Sequence, residues 1–72
     1  MEDVCAILAQ NIKAARGLLG WSQEELADRS EIDRTYISGV ERQVRNPTIT
    51  VVAKPAKALG TTTADLLTDR SN

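Results

Sequence analysis

The stretch of residues 22–42 constrains the fold most, because its pattern predicts two short helices joined by a tight turn. Ser22 opens a capping sequence, Ser-Gln-Glu-Glu, in which it can accept from the amide of Glu25 while the Glu25 carboxylate reaches back. After a turn of about three residues, Asp33 is a good N-cap for a second helix over about residues 34–42. A chain of 72 residues has room for one domain around this pair.

Apolar residues recur at steps of three and four through the rest of the chain, which predicts helices there as well. We expect five, over about residues 3–19, 22–30, 34–42, 48–59 and 62–67. Their core must be aliphatic, since the chain has one Trp, one Tyr and no Phe. Pro55 removes a backbone donor inside the fourth helix, at a cost of ~3 kcal/mol, so that helix either kinks or begins later.

The composition excludes several classes of function. There is no histidine, and the single cysteine, Cys5, can form neither an internal disulfide nor a multi-cysteine metal site. We therefore predict no metal, no cofactor and no enzymatic activity, and we interpret Cys5 as a small buried apolar residue. No apolar run approaches ~20 residues, and the start Met-Glu-Asp is unlike a signal peptide, so a cytoplasmic protein is expected. Neither a membrane nor a small-molecule partner is predicted.

The charge is distributed unevenly, although the net charge is only −1. Residues 1–33 carry a net charge of −4, residues 34–57 carry +4, and residues 58–72 carry −1. The charge of a patch matters more than the total when a polyanion docks on one face. A nucleic-acid partner is therefore compatible with this acidic chain.

Two short helices with a tight turn between them are a helix-turn-helix arrangement. The stretch WSQEELADRSEIDRTYISGVERQVRNPT resembles the helix-turn-helix family of Cro and phage cI-type repressors. DRTYISGVERxxRNxT is similar, more narrowly, to the controller proteins of bacterial restriction–modification systems. The resemblance covers about residues 8–67. It implies an all-α, compact five-helix fold of the lambda-repressor type, with the whole chain as one DNA-binding domain.

The second helix of such a motif lies in the major groove, with its first residues at the base edges. The residues that we predict to contact bases are Arg34, Thr35, Ser38 and Gly39. Arg34 can donate two hydrogen bonds to guanine O6 and N7. The alternative is that Arg34 is only a solvent-exposed charge at the start of the helix. Gly39 would let the backbone approach DNA closely, or it marks a close helix–helix contact.

Contacts to the phosphate backbone are predicted from the start of the first motif helix and from the loop after the second. The candidates are Ser22, Gln23, Tyr36, Arg42, Arg45 and Asn46. Helix N-terminal amides and basic side chains both suit phosphate oxygens. The alternatives are capping alone at the helix start, packing of the tyrosine ring within the protein, and a solvated charged loop. Arg45 can also reach a base or a groove edge.

The resemblance further implies an ion pair between Arg16 and Glu41, which would orient the second motif helix; Arg16 could instead face a phosphate. Relatives often have glycine at the positions of Glu31 and Gln43, so these two residues would be modestly strained if φ is positive there.

Homodimer formation is expected, because one small helix-turn-helix domain contacts few bases and phosphates. The resemblance also implies it, since relatives bind as dimers to two half-sites about one turn of DNA apart. The predicted interface consists of Val51, Thr62, Ala64, Leu66 and Leu67, some of which must instead close the core. Leu18 and Leu19 can extend the patch if exposed. The function predicted is a sequence-specific regulator of transcription that binds double-stranded DNA at a palindromic operator. The alternative is an antitoxin or prophage-type regulator whose helix-turn-helix domain also binds a protein.

Overall fold

The computed structural model describes residues 3–69, and within that range the chain is all helical, with no strand. The five helices are α1 Val4–Leu19, α2 Gln23–Ser30, α3 Arg34–Glu41, α4 Ile49–Ala58 and α5 Thr63–Leu66. The predicted five-helix, all-α fold is thereby confirmed. No helix among these residues has the length and apolar character needed to cross a membrane.

Each helix begins at a polar side chain that accepts from a backbone N–H of its first turn, which satisfies one orphan donor. These caps are Asp3, Ser22, Asp33, Thr48 and Thr62. Ser22 accepts from the Glu25 amide at 3.0 Å, as predicted. The Glu25 carboxylate does not complete the predicted box. It accepts instead from Arg29 Nε at 2.6 Å, one turn along the same helix.

The turns that separate the helices rely on left-handed backbone. Gly20 ends α1 with φ of 71°, and Gly60 follows α4 with φ of 75°. Glu31 and Gln43 adopt φ of 57° and 64°, so both non-glycine residues occupy the conformation in which they were expected to be strained. The tight turn between α2 and α3 is therefore made by a glutamate in a conformation that favours glycine.

The core lies where α2 and α3 pack against each other and against α1 and α4. Ile12, Leu26 and Ile37 are its largest fully buried apolar side chains. The remaining members of the cluster are Leu8, Ala27, Val40, Val52, Ala56 and Leu66. As expected, these residues are aliphatic, and the two aromatic side chains, Trp21 and Tyr36, are only partly buried against them.

Pro55 lies inside α4 and is buried, yet the helix begins at Ile49. The alternative of a later start is thus wrong. Thr48 Oγ1 accepts from the Val51 amide at 3.2 Å and fixes the first turn upstream of the proline. Burial of the proline ring against the core offsets part of the cost of the missing donor.

Helix α5 is fastened to α1 by Asn11, whose side-chain amide donates to the carbonyls of Leu66 and Thr68, both at 2.8 Å. Leu66 is only 3% exposed and belongs to the core. Among the residues predicted for the dimer interface, Leu66 is thus one of those that close the core of the domain itself. The apolar pattern alone could not separate the two roles.

Candidate nucleic-acid interface

The first turn of α3 presents its polar side chains outward. Arg34 and Thr35 are exposed, and Ser38 is half-buried one turn further on. Ile37 and Val40 face the core from the same helix. Of the four predicted base-reading residues, Arg34, Thr35 and Ser38 therefore share the outer side of a helix whose opposite side is anchored, whereas Gly39 is buried.

Asp33 fixes the start of this helix, because its carboxylate accepts from the Thr35 amide at 2.7 Å. That hydrogen bond is the main cause of a lowered pKa at Asp33, so the carboxylate stays ionised at neutral pH. An ionised cap also suits the positive end of the helix dipole. The position of Arg34, the next residue, is set by this cap.

The loop after α3 folds back on the helix. The carbonyl of Gly39 accepts from the amides of Val44 and Arg45, at 2.9 and 3.3 Å. Asn46 Oδ1 accepts from the Cys5 thiol at 3.5 Å, which connects the loop to the first turn of α1. Cys5 is half-buried, whereas a buried apolar position was expected. The loop carries Arg42, Arg45 and Asn46, all exposed.

Arg45 lies across α3 and covers Gly39. A Cβ built on Gly39 would stand 2.5 Å from Arg45 Cγ, and the glycine is buried. The Arg45 guanidinium carbon lies 5.5 Å from the centre of the Tyr36 ring. The open backbone predicted at Gly39 is thus occupied by the protein's own side chain. The alternative, in which Gly39 marks a close contact between two helices, is also corrected, since the atoms nearest to a Cβ at Gly39 belong to Arg45 of the following loop.

The ion pair between Arg16 and Glu41 is present and is bidentate. Arg16 Nε and Nη2 each donate to a Glu41 carboxylate oxygen at 2.9 Å, and Arg16 Nη1 donates to the Trp21 carbonyl at 2.8 Å. Glu41 is 2% exposed and Arg16 is 21% exposed. This pair connects α1 to the end of α3, so it holds the orientation of the helix that carries Arg34.

Gln23 joins this network, which the sequence did not indicate. Its side-chain amide donates to Glu41 Oε1 at 3.0 Å. One amide hydrogen remains for another acceptor. Gln23 is the first residue of α2, and Ser22 before it is exposed. Both therefore stay predicted phosphate contacts, with Gln23 held in place by the buried carboxylate.

The other residues predicted for the homodimer interface differ in their exposure to solvent. Thr62 and Ala64 are exposed, whereas Val51 and Leu67 are half-buried. Leu18 and Leu19, at the end of α1, are 90% and 48% exposed.

The five helices, with the capped and outward-facing α3 held against α1 and α2, define a helix-turn-helix protein. The chain belongs to the family described as Helix-turn-helix, which matches residues 12–66.

Two proteins are similar to this chain in sequence. It is 46% identical over 66 residues to a hypothetical transcription factor of Neisseria meningitidis, a match that spans 92% of this chain but only 62% of that protein. It is also 46% identical over 66 residues to the control protein C.SmaI of Serratia marcescens, across 92% of this chain and 79% of that one. The resemblance to restriction–modification controller proteins is thus confirmed.

Among solved structures, the hypothetical transcription factor NHTF from Neisseria superposes with a TM-score of 0.92 and 44% identity, covering 94% of this chain and 78% of that one. The restriction–modification controller protein C.Esp1396I, crystallised as a tetramer in complex with its natural 35 base-pair operator, gives a TM-score of 0.82 and 36% identity, covering 92% and 87% of the two chains.

Proposed function

We propose that this protein is a sequence-specific regulator of transcription that binds a palindromic DNA operator as a homodimer, in the manner of a restriction–modification controller. The observation that carries the proposal is the outward-facing start of α3. Arg34 and Thr35 are exposed there, while Ile37 and Val40 anchor the opposite side in the core. A helix presented in this way can enter a major groove without disturbing the fold.

In this proposal Arg34 reads a guanine through O6 and N7, and Thr35 and Ser38 contact neighbouring base edges. Asp33 favours this use of Arg34, because the cap fixes the backbone next to it. A side chain that projects from a fixed helix start loses less conformational freedom on binding than one on a mobile loop.

Affinity would come from the phosphate backbone, which sets register and salt dependence. The proposed contacts lie at the start of α2 and around the end of α3: Ser22, Gln23, Tyr36, Arg42, Arg45 and Asn46. The amides at the start of α2 add the positive end of the helix dipole.

Two copies are needed to read two half-sites about 34 Å apart. We propose that their contact uses Val51, Thr62, Ala64 and Leu67, with Leu66 left out because it is buried. The tetrameric C.Esp1396I complex supports an oligomer on DNA in this family. Sedimentation of the free protein and of its DNA complex would measure the number of copies in each.

The first experiment is selection of bound duplexes from a random DNA pool, with the wild type and the variants Arg34→Ala and Arg29→Ala. Arg29 is a matched control, since it is an exposed arginine on α2, where it contacts Glu25 and the ring of Trp21. We expect a palindromic motif from the wild type and from Arg29→Ala, and the loss of one guanine preference in Arg34→Ala. Absence of any enriched motif at moderate salt would contradict the proposal.

A further inference from the structure

We propose that Gly39 is a positioning residue for Arg45: it leaves the space in which the Arg45 side chain lies along the outer side of α3. A loop residue thereby supplies the side chain that position 39 lacks. The consequence for binding rests on the proposed DNA-binding function, whereas the placement of Arg45 is a property of the free protein.

The steric observation is the close approach at Gly39. A Cβ there would be 2.5 Å from Arg45 Cγ, 3.5 Å from Nε and 3.6 Å from Cδ. Carbon atoms that are not bonded pack at about 3.5–4.0 Å, so no larger residue fits while Arg45 keeps this position. The long side chain lies over Gly39 along much of its length.

The backbone of Gly39 contributes independently. Its carbonyl accepts from the amides of Val44 and Arg45 at 2.9 and 3.3 Å. Gln43, with φ of 64°, makes the reversal that brings those amides back to α3. The same glycine therefore fixes the Arg45 backbone and gives room to its side chain.

Tyr36 holds the far end of the side chain. It lies three residues before Gly39, so the two positions are neighbours on the helix surface. The Arg45 guanidinium carbon is 5.5 Å from the ring centre, within the ~6 Å range of a cation–π contact. The stem of Arg45 thus lies over Gly39 while its head lies over Tyr36, beside the side chains proposed to meet DNA.

A second glycine in a helix provides the comparison. Within residues 3–69, a Cβ built on Gly17 in α1 would meet no atom within 4 Å apart from its chain neighbours and the adjacent backbone of its own helix. Alanine is the better helix former at both sites. We therefore expect Gly17→Ala to unfold at or above the wild-type temperature, and Gly39→Ala to remain folded while its gain in helix propensity is offset by the displacement of Arg45.

The test has one arm without DNA. In the wild type, the proximity of the Tyr36 ring should shift the NMR signals of the Arg45 side chain upfield. This shift should disappear in Gly39→Ala and persist in Gly17→Ala. Retention of the shift in Gly39→Ala would overturn the proposed placement, whatever the DNA result.

The second arm measures the affinity for a duplex that carries the selected palindrome. The need to order one long side chain during binding lowers the affinity by about two- to tenfold. We therefore expect the affinity for the duplex to fall by about fivefold in Gly39→Ala and to stay unchanged in Gly17→Ala. In an Arg45→Ala background, Gly39→Ala should have no further effect, because the residue that it positions is gone. Full wild-type affinity of Gly39→Ala, or additive losses, would overturn the functional part. A wild type that binds no duplex would instead contradict the proposed function, and the NMR arm would still decide the placement.

Discussion

At the scale of single residues, Glu41 is the side chain on which the orientation of α3 depends most. Its carboxylate accepts from Arg16 Nε, Arg16 Nη2 and the Gln23 amide, at 2.9, 2.9 and 3.0 Å. Burial raises the pKa of this carboxyl, but the hydrogen bonds from Arg16 and Gln23 and the charge of Arg16 outweigh it, and the pKa is lowered overall. Glu41 therefore remains ionised inside the protein.

Replacement of Glu41 by Gln should lower the free energy of unfolding by about 2–3 kcal/mol, because Arg16 loses the charge that compensates it. The loss stays below the highest values for buried pairs, since Arg16 is 21% exposed. Glu25→Gln is the matched control: it breaks an exposed pair with Arg29 and should cost at most about 0.5 kcal/mol. Urea unfolding followed by circular dichroism measures both. Equal losses in the two variants would contradict a special role for Glu41.

The lowered pKa of Glu41 also predicts a dependence of stability on pH. The pair contributes fully above about pH 4.3, the pKa of an unperturbed glutamate in the unfolded chain, and the contribution is lost as the pH falls through the lower folded value. Between pH 7 and pH 3 the urea midpoint of the wild type should therefore fall more steeply than that of Glu41→Gln. Asp33, whose pKa is lowered by its bond from the Thr35 amide, is present in both proteins and cancels in the comparison. Parallel curves would show that another acidic group carries the acid sensitivity.

At the scale of the helices, the sequence predicted most of what depends on neighbouring residues. The caps at Ser22 and Asp33 and the terminating Gly20 and Gly60 use contacts within one turn, and all were found. It missed one contact within α2, between Glu25 and Arg29, and contacts that join distant positions: Asn11 to Leu66 and Gln23 to Glu41. A polar side chain has no periodicity that indicates its partner, so such contacts become visible only after the helices have packed. The burial of Leu66 likewise depends on how the helices pack and could not be predicted from neighbouring residues.

The end of α2 is a position at which a single substitution should stabilise the protein. Glu31 terminates this helix with φ of 57°, a conformation that costs a residue with a side chain roughly 1 kcal/mol and glycine almost nothing. We expect Glu31→Gly to raise the free energy of unfolding by about 0.5–1 kcal/mol. Glu24→Gly, an exposed change inside the same helix, should lower it by a similar amount. Thermal unfolding of the two variants compares the signs directly. A loss of stability in both would show that the turn gains nothing from glycine.

At the scale of the whole molecule, the basic stretch 34–57 forms two separate groups. Arg34, Arg42 and Arg45 belong to α3 and the loop that follows it. Lys54 and Lys57 lie on α4 and line a shallow depression together with Arg29 and Glu31. The net charge of +4 that the sequence shows for this stretch is therefore shared between two elements. The group on α3 and its loop adjoins the side chains proposed to read bases, and Lys54 borders the start of α3 beside Asp33 and Tyr36, whereas Lys57 lies with Arg29 and Glu31.

This division predicts how salt affects binding. A basic residue that contacts a phosphate displaces a counterion, so its removal should reduce the slope of log K against log salt concentration by about 0.9 for each contact in a duplex. Arg42→Ala, which removes an exposed arginine at the end of α3, should reduce the slope by about that amount per bound copy. Lys57→Ala removes an exposed charge of the same sign from the second group and should leave the slope unchanged. Titration of the selected duplex at several salt concentrations gives the three slopes. An equal reduction in both variants would mean that α4 also meets the DNA backbone and that the polyanion covers a wider face than α3 and its loop.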